Sequence, residues 1–382
     1  MNKLPNFLNI IFLLFLSVGL RFYIIKLLAS ENRLFVFLII LTIFSIGIYL
    51  IPQTARIIGE TTGVLKNRTG LAGGFLQSLG TAFPDMVIGV VAAILSLQVI
   101  GQDYLKAINL AIIAASTTFG SNIYNILHAA WCIYRQNKAD KLNRQVFMFP
   151  YIKNSGLVTP LAQHKLKPLI KEIDASLTIL TFLSLLTASV ALNMVIFGKV
   201  NQVPQGIKGD LYQLTKSIGF IILALSLAII FIFRKSHHEK FEDENNGYNN
   251  FSNFRLWSLV GISGIIILFS AESIIEAVSK FSEITHFPYV LAGVITALIG
   301  CLGEMVVIHD FTVHPKGRIT DALIGIAMDN IVTTMGAAFI AILGGIFLGS
   351  DALIIIFVMI LFSNTLLMGQ ISQLKNFYLA SK

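Results

Sequence analysis

Two carboxylates stand in the middle of apolar runs: Asp85 in LGTAFPDMVIG (79–89) and Glu304 in IGCLGEMVV (299–307). A charged side chain at the centre of a lipid bilayer costs about 2.5 to 3.5 kcal/mol on insertion scales, so each demands a polar partner, a proton or a bound cation. Helix-weakening residues precede both, Gly80 and Pro84 before Asp85, and Gly300 and Gly303 before Glu304. A proline removes one backbone donor and opens the preceding turn, which predicts a kink and freed carbonyl oxygens. With the hydroxyls of Ser78 and Thr81, these groups make an oxygen cage of the kind that suits Na⁺ and Ca²⁺. Two facing carboxylates bind a divalent ion and repel each other without one, which favours its exchange for protons or Na⁺. A purely structural role, pairing with an arginine or capping a broken turn, is the competing reading. The flanking spans hold no deeply placed Lys or Arg, and the arrangement occurs twice, which favours an ion site.

Such residues need helices that cross a membrane. Of the 382 residues 55% are hydrophobic and 13% charged, and the mean hydropathy is +0.78, the composition of an all-α polytopic membrane protein with the lipid bilayer as its partner. Apolar runs long enough to span about 30 Å of hydrocarbon fall near 6–28, 34–59, 71–98, 104–134, 176–197, 211–233, 256–279, 288–312, 319–348 and 351–373. The first is read as a retained span; a secretory signal is the alternative, but no small-residue cleavage site follows.

With ten spans the loops alternate between two faces, and only Arg21, Lys26, Arg33, Lys106, Lys199, Lys208, Lys216 and Lys280 of the 28 basic residues fall on one of them. The richer face is expected to be cytoplasmic and to hold both termini. This asymmetry accounts for the net charge of +8 without nucleic acid. Two long loops lie on that face. The first is basic, with an amphipathic piece over 161–173 that would lie on the membrane surface. The second, RKSHHEKFEDENNGYNN, reads as a solvated linker; His237, His238, Glu239, Glu242, Asp243 and Glu244 are an alternative regulatory metal site. Cys132 and Cys301 sit in apolar spans and read as packing residues, with no zinc motif.

The stretches from Leu41 and from Leu259 match in order and spacing: an apolar span, a short polar stretch, then a Gly-interrupted span with one carboxylate at its middle. After Asp85 comes AIIAASTTFGSNIYNIL and after Glu304 comes LIGIAMDNIVTTMGAAF, both rich in small and polar residues. The second to fourth spans therefore align with the seventh to ninth. An offset of five spans is odd, so the second copy must be inverted, the arrangement of many secondary transporters. The chain divides into an additional N-terminal span (1–33), a first repeat (34–134), a basic loop (135–175), two scaffold spans (176–233), a linker (234–255), the inverted second repeat (256–348) and a C-terminal span and tail (349–382).

At these residues the chain resembles the cation/calcium exchangers, which include sodium/calcium and proton/calcium antiporters. GTAFPD is similar to the family's G-T-S-x-P-[DE], and GSNIYNIL, with Gly120, Ser121, Asn122 and Asn125, is similar to its second signature. GCLGE is nearer the G-N-A-A-E of the proton/calcium branch, and AMDN aligns with A-[IV]-G-[ND]. The resemblance implies that Asp85 and Glu304 are the cation-binding carboxylates, with Thr81 adding oxygens and Ser78 lining a neighbouring sodium position. It places Asn330 at an amide or acid position, with Asp329 an extra acid beside it. The asparagine of the first repeat falls on Thr117, and Gly300 and Cys301 replace a hydroxyl pair. The expected function is secondary antiport of Ca²⁺ for Na⁺ or H⁺ by alternating access, with no cofactor and no enzymatic activity. A non-transporting regulator on an exchanger scaffold is one alternative. An intramembrane aspartyl protease is a second, from the loose G-x-G-D of GIKGD (206–210), which would need a facing second aspartate.

Overall fold

The structure, a computed structural model, describes residues 7–69, 75–150, 156–164, 168–205, 207, 209–233, 247–313 and 319–380. Its helices are α1 (Phe7–Gly19), α2 (Arg33–Thr69), α3 (Phe75–Val99), α4 (Tyr104–Leu142), α5 (Ile170–Phe197), α6 (Lys216–Phe233), α7 (Asn253–Thr285), α8 (Tyr289–Val313), α9 (Ile319–Leu343) and α10 (Ser350–Ala380). Each expected span has its helix. Among the described residues nine helical segments are long and apolar enough to cross a membrane, and α6 is a shorter apolar helix. The chain is thus an all-α, multi-pass integral membrane protein.

The packing carries the repeat. Helix α4 lies along α8 and α9 lies along α3, while α2 meets α7, α2 touches α8 and α3 touches α7. Exchanging α2, α3 and α4 for α7, α8 and α9 maps every one of these contacts onto another or onto itself, as a two-fold relation between inverted halves requires. Small residues let the central pair close up. A Cβ added at Gly293 on α8 would stand 2.6 Å from the Ser116 Cβ and 3.0 Å from the Ile113 carbonyl of α4. Around this centre α6 packs on α9, and α10 packs on α4 and α5. Lys375 on α10 also pairs with Asp174 on α5 at 2.6 Å.

Helix ends differ from the sequence expectations where backbone groups pair with segments outside their own helix. The expected span 211–233 begins instead as strand β3 (Leu211–Gln213), and 319–348 ends in strand β4 (Phe347–Gly349); the two pair antiparallel. Helix α4 runs beyond 134 to Leu142 and is closed by Asn143 in the left-handed conformation. It does so because the following segment folds back along it. The Gln136 amide donates to the Thr159 carbonyl at 2.9 Å, and Asp140 accepts from the Leu161 N–H at 2.6 Å. A small hairpin of β1 (Val146–Phe147) and β2 (Leu157–Val158) completes this cap. The amphipathic piece expected over 161–173 is not one surface helix: Leu161–Gln163 is a single 3₁₀ turn and α5 starts at Ile170, after Pro168. The linker residues of the alternative metal site, His237 to Glu244, lie outside the described residues.

Helix α1 continues through a π turn (Leu20–Ile24) and a 3₁₀ turn (Ile25–Ala29) and packs against α7. That distortion presents Arg21 to Glu272, with which it forms an ion pair. Replacing Arg21 by Gln strands Glu272 in an apolar helix and should cost about 1.5 to 3 kcal/mol of stability, the worth of a charge-assisted hydrogen bond. The double variant Arg21→Gln/Glu272→Gln should recover most of it in a thermal-unfolding cycle. Simple additivity of the two losses would show that the pair is uncoupled.

Candidate cation site

Asp85 on α3 and Glu304 on α8 are both buried, as is Asp329 on α9. The inverted packing brings them together. Gly300, one turn before Glu304, lies so close to Asp85 that an added Cβ would collide with the carboxylate Oδ1. Asp329 is within electrostatic range of both Asp85 and Glu304, and these two act on each other. Helices α3, α8 and α9 contain no Lys or Arg, so three carboxylates meet without a basic side chain from the helices that carry them.

The polar groups around them are mostly acceptors. Asn125 on α4 donates its amide Nδ2 to Glu304 Oε2. Among the described residues no donor reaches Glu304 Oε1, either oxygen of Asp85, or the amide oxygens of Asn122, Asn125 and Asn330. Ser121 stands beside the Asp85 carboxylate but gives its proton to the Thr118 carbonyl at 3.0 Å. Asn330 likewise spends its Nδ2 on the Ile326 carbonyl at 2.9 Å, one turn back on its own helix. Buried oxygens are normally satisfied by donors. A cluster of unsatisfied oxygens with excess negative charge is instead complementary to a cation, and oxygen ligands suit hard ions such as Ca²⁺ and Na⁺.

Helix α3 runs unbroken through Pro84, and α8 through Gly300 and Gly303, so neither helix is interrupted at its carboxylate. The α8 glycines act through close approach: Gly300 admits Asp85, and a Cβ on Gly303 would stand 3.0 Å from the Ala55 Cβ of α2. Thr117 is set apart from the carboxylates. Its hydroxyl donates to the Gly293 carbonyl at 3.2 Å, about three turns of α8 from Glu304. Ser78, Gly80 and Thr81 fall on the first turns of α3, and their side chains lie outside what the structure describes. Asn125, read from the sequence only as part of a motif, is the direct partner of Glu304. Its signal was the second asparagine of GSNIYNIL, at a depth where a bare amide is costly.

Cys132 packs in a buried apolar cluster, as expected, and its thiol also lies 3.6 Å from His128 Nε2, with one ligand atom each of His128, Cys132 and His309 within 4.8 Å of one another. Asp210, the aspartate of the loose protease pattern, is half-exposed in the loop between α5 and β3 and pairs with Lys199 at 2.9 Å. That carboxylate holds the Lys199 ammonium above the usual lysine range through a hydrogen bond and its charge. Among the described residues the ion-pair partner of Asp210 is Lys199, where a shared-proton dyad requires a second aspartate.

No protein-family model matches the chain, and no curated protein matches it. Solved structures do. The crystal structure of the H⁺/Ca²⁺ exchanger CAX aligns with a TM-score of 0.61 at 14% identity, covering 97% of this chain and 87% of that one. The structure of native YfkE aligns with a TM-score of 0.55 at 14% identity, covering 97% of each chain. The chain has their fold over nearly its whole length, with two inverted repeats.

Proposed function

We propose that the protein is a secondary antiporter that exchanges Ca²⁺ for Na⁺ or H⁺, with Asp85 and Glu304 as the principal ligands and Asp329 as a third acid. The carrying observation is the convergence of the buried Asp85, Glu304 and Asp329, with Asn125 bound to Glu304 and leaving its own amide oxygen undonated. The fold shared with an H⁺/Ca²⁺ exchanger supports the same reading. A divalent ion among the carboxylates offsets most of their repulsion, and protons or Na⁺ can replace it with the charge nearly conserved.

Alternating access then needs the helices that flank the site to shift only when the charge is neutralised, so that the empty, charged site does not cross the membrane. The basic loops set the direction: the ends of α4 and α8 near Arg135 and Lys316 face the cytoplasm, and both termini lie there. Asn125 holds Glu304 and keeps its own Oδ1 available as a ligand.

Inside-out vesicles containing the protein should take up radiolabelled Ca²⁺ when a Na⁺ or an H⁺ gradient is imposed, each tested separately, and the gradient that drives uptake names the coupling ion. Uptake under neither gradient, from protein that is correctly inserted and monodisperse on extraction, would replace this reading by that of a non-transporting regulator.

A further inference from the structure

Beyond Asn125 on α4 and Glu304 on α8, toward the ends of both helices that carry the basic loops, lies a second polar cluster. His128 and Cys132 are one turn apart on α4 and project from one face. His309 sits on the facing stretch of α8. All three are buried, and one ligand atom from each lies within 4.8 Å of the others. The imidazole rings of His128 and His309 are stacked, with centroids 5.7 Å apart and planes 20° from parallel. None of these residues belongs to the carboxylate cluster, from which they are displaced by about 5 to 10 Å along the helices at 1.5 Å per residue.

We infer that His128, Cys132 and His309 form a second metal site, selective for a thiophilic, imidazole-binding divalent ion of the Zn²⁺ class and distinct from the hard-ion carboxylate site. Two imidazole nitrogens and one thiolate are the donor set such ions prefer, and a poor one for Ca²⁺ or Na⁺. In a tetrahedral zinc site with bonds of about 2.0 to 2.3 Å, neighbouring ligand atoms stand roughly 3.4 to 3.6 Å apart. The Cys132 Sγ and His128 Nε2 are already 3.6 Å apart, and His309 offers a ligand atom within 4.8 Å of those of the other two residues.

The groups behind these ligands fit the same purpose. His128 Nε2 faces the thiol, and the Met305 backbone lies beside the same ring. A backbone carbonyl that accepts from Nδ1–H would leave Nε2 as the lone-pair donor, the usual support for a metal-bound histidine. Thr312 stands beside the Cys132 sulfur, and its hydroxyl donates to the Ile308 carbonyl at 2.7 Å. When the metal binds, the Cys132 thiol proton is released and the sulfur–metal bond forms in its place. Three protein ligands leave a fourth position open, as in exchangeable rather than closed structural sites. An ion held there joins α4 to α8 immediately beyond the Asn125–Glu304 contact and fixes the register of the two helices.

Cobalt(II) is the probe, because thiolate ligation produces a charge-transfer band that carboxylate or water ligation does not. Full-length protein, stripped with chelator and titrated with Co²⁺, should develop this band to one equivalent and keep it in a large excess of Ca²⁺. The band should vanish in Cys132→Ser and persist in Cys301→Ala, which removes the only other thiol. His128→Asn and His309→Asn should each weaken Co²⁺ binding at least about tenfold. The carboxylate variant Asp85→Asn should leave it unchanged, which separates failure of this proposal from failure of the transport reading. Absence of the band in folded wild-type protein, its survival in Cys132→Ser, or its loss in Cys301→Ala alone would each overturn the inference.

Discussion

Replacing Asp85 by Asn, or Glu304 by Gln, is expected to abolish gradient-driven Ca²⁺ uptake and at the same time to raise the melting temperature of the ion-free protein. The opposed signs follow from the charge in the cluster. Asp85, Glu304 and Asp329 are buried within electrostatic range of one another. Two unit charges about 6 Å apart repel by roughly 3 kcal/mol at an effective dielectric near 20, so without a cation or proton the cluster opposes folding. An amide at either position removes part of that repulsion and keeps the shape. For the ion the loss runs the other way. Removing one partner of a buried charge interaction costs about 2 to 5 kcal/mol, or at least roughly 30-fold in affinity. In wild-type protein Ca²⁺ at a hundred times its dissociation constant should stabilise the fold by about 2.7 kcal/mol. The variants should show little of this shift. Unfolding scans with and without Ca²⁺, beside vesicle uptake, test both halves. A variant destabilised without ion that retains transport would mark the carboxylates as structural.

Much of this site was legible in the sequence, for a physical reason. Lipid forces each span to be long and apolar, so carboxylates at depth stand out, and the odd offset between repeats determines their inversion before any coordinates are seen. Asp85, Glu304 and the extra acid Asp329 were visible in this way. What the sequence hid depends on rotation about helix axes. Displacement along the axes matters as well: Thr117 and Ser121 share one face of α4 one turn apart, yet Thr117 meets Gly293 while Ser121 meets Asp85. The cluster of His128, Cys132 and His309 joins residues remote in sequence, and no short motif announces it. The ion pair of Arg21 with Glu272 likewise joins residues remote in sequence, across the π turn that follows the first helix. The β3–β4 ladder was hidden because its strands are three residues each and lie far apart in sequence, too short for an alternation to stand out.

Gly300→Ala is the substitution that most directly asks whether close approach of the two repeats, rather than helix flexibility, builds the site. In a helix an alanine is favoured over glycine by about 1 kcal/mol, so a glycine serving only to soften α8 would yield a more stable protein when replaced. The surroundings of Gly300 demand the reverse. The new methyl would collide with Asp85 Oδ1 and stand 3.2 Å from both the Asp85 Cγ and the Ile88 Cδ1. Either the carboxylate rotates away from the cluster or α3 and α8 part, and such overpacking costs about 1 to 3 kcal/mol. We expect Ca²⁺ affinity to fall at least tenfold, an amount equal to about 1.4 kcal/mol, with the protein still inserted and monodisperse. Two other glycines supply the comparison. At Gly303 an added Cβ meets the Ala55 Cβ at 3.0 Å, so Gly303→Ala should strain the α2–α8 contact with a smaller effect on affinity. At Gly325 on α9 nothing lies within 4 Å, and Gly325→Ala should leave affinity unchanged and stability equal or higher. Calcium titrations and unfolding scans on the three variants rank them. If Gly300→Ala behaves like Gly325→Ala, the carboxylate of Asp85 is not held against α8, and the pairing of the two repeats through that contact is wrong.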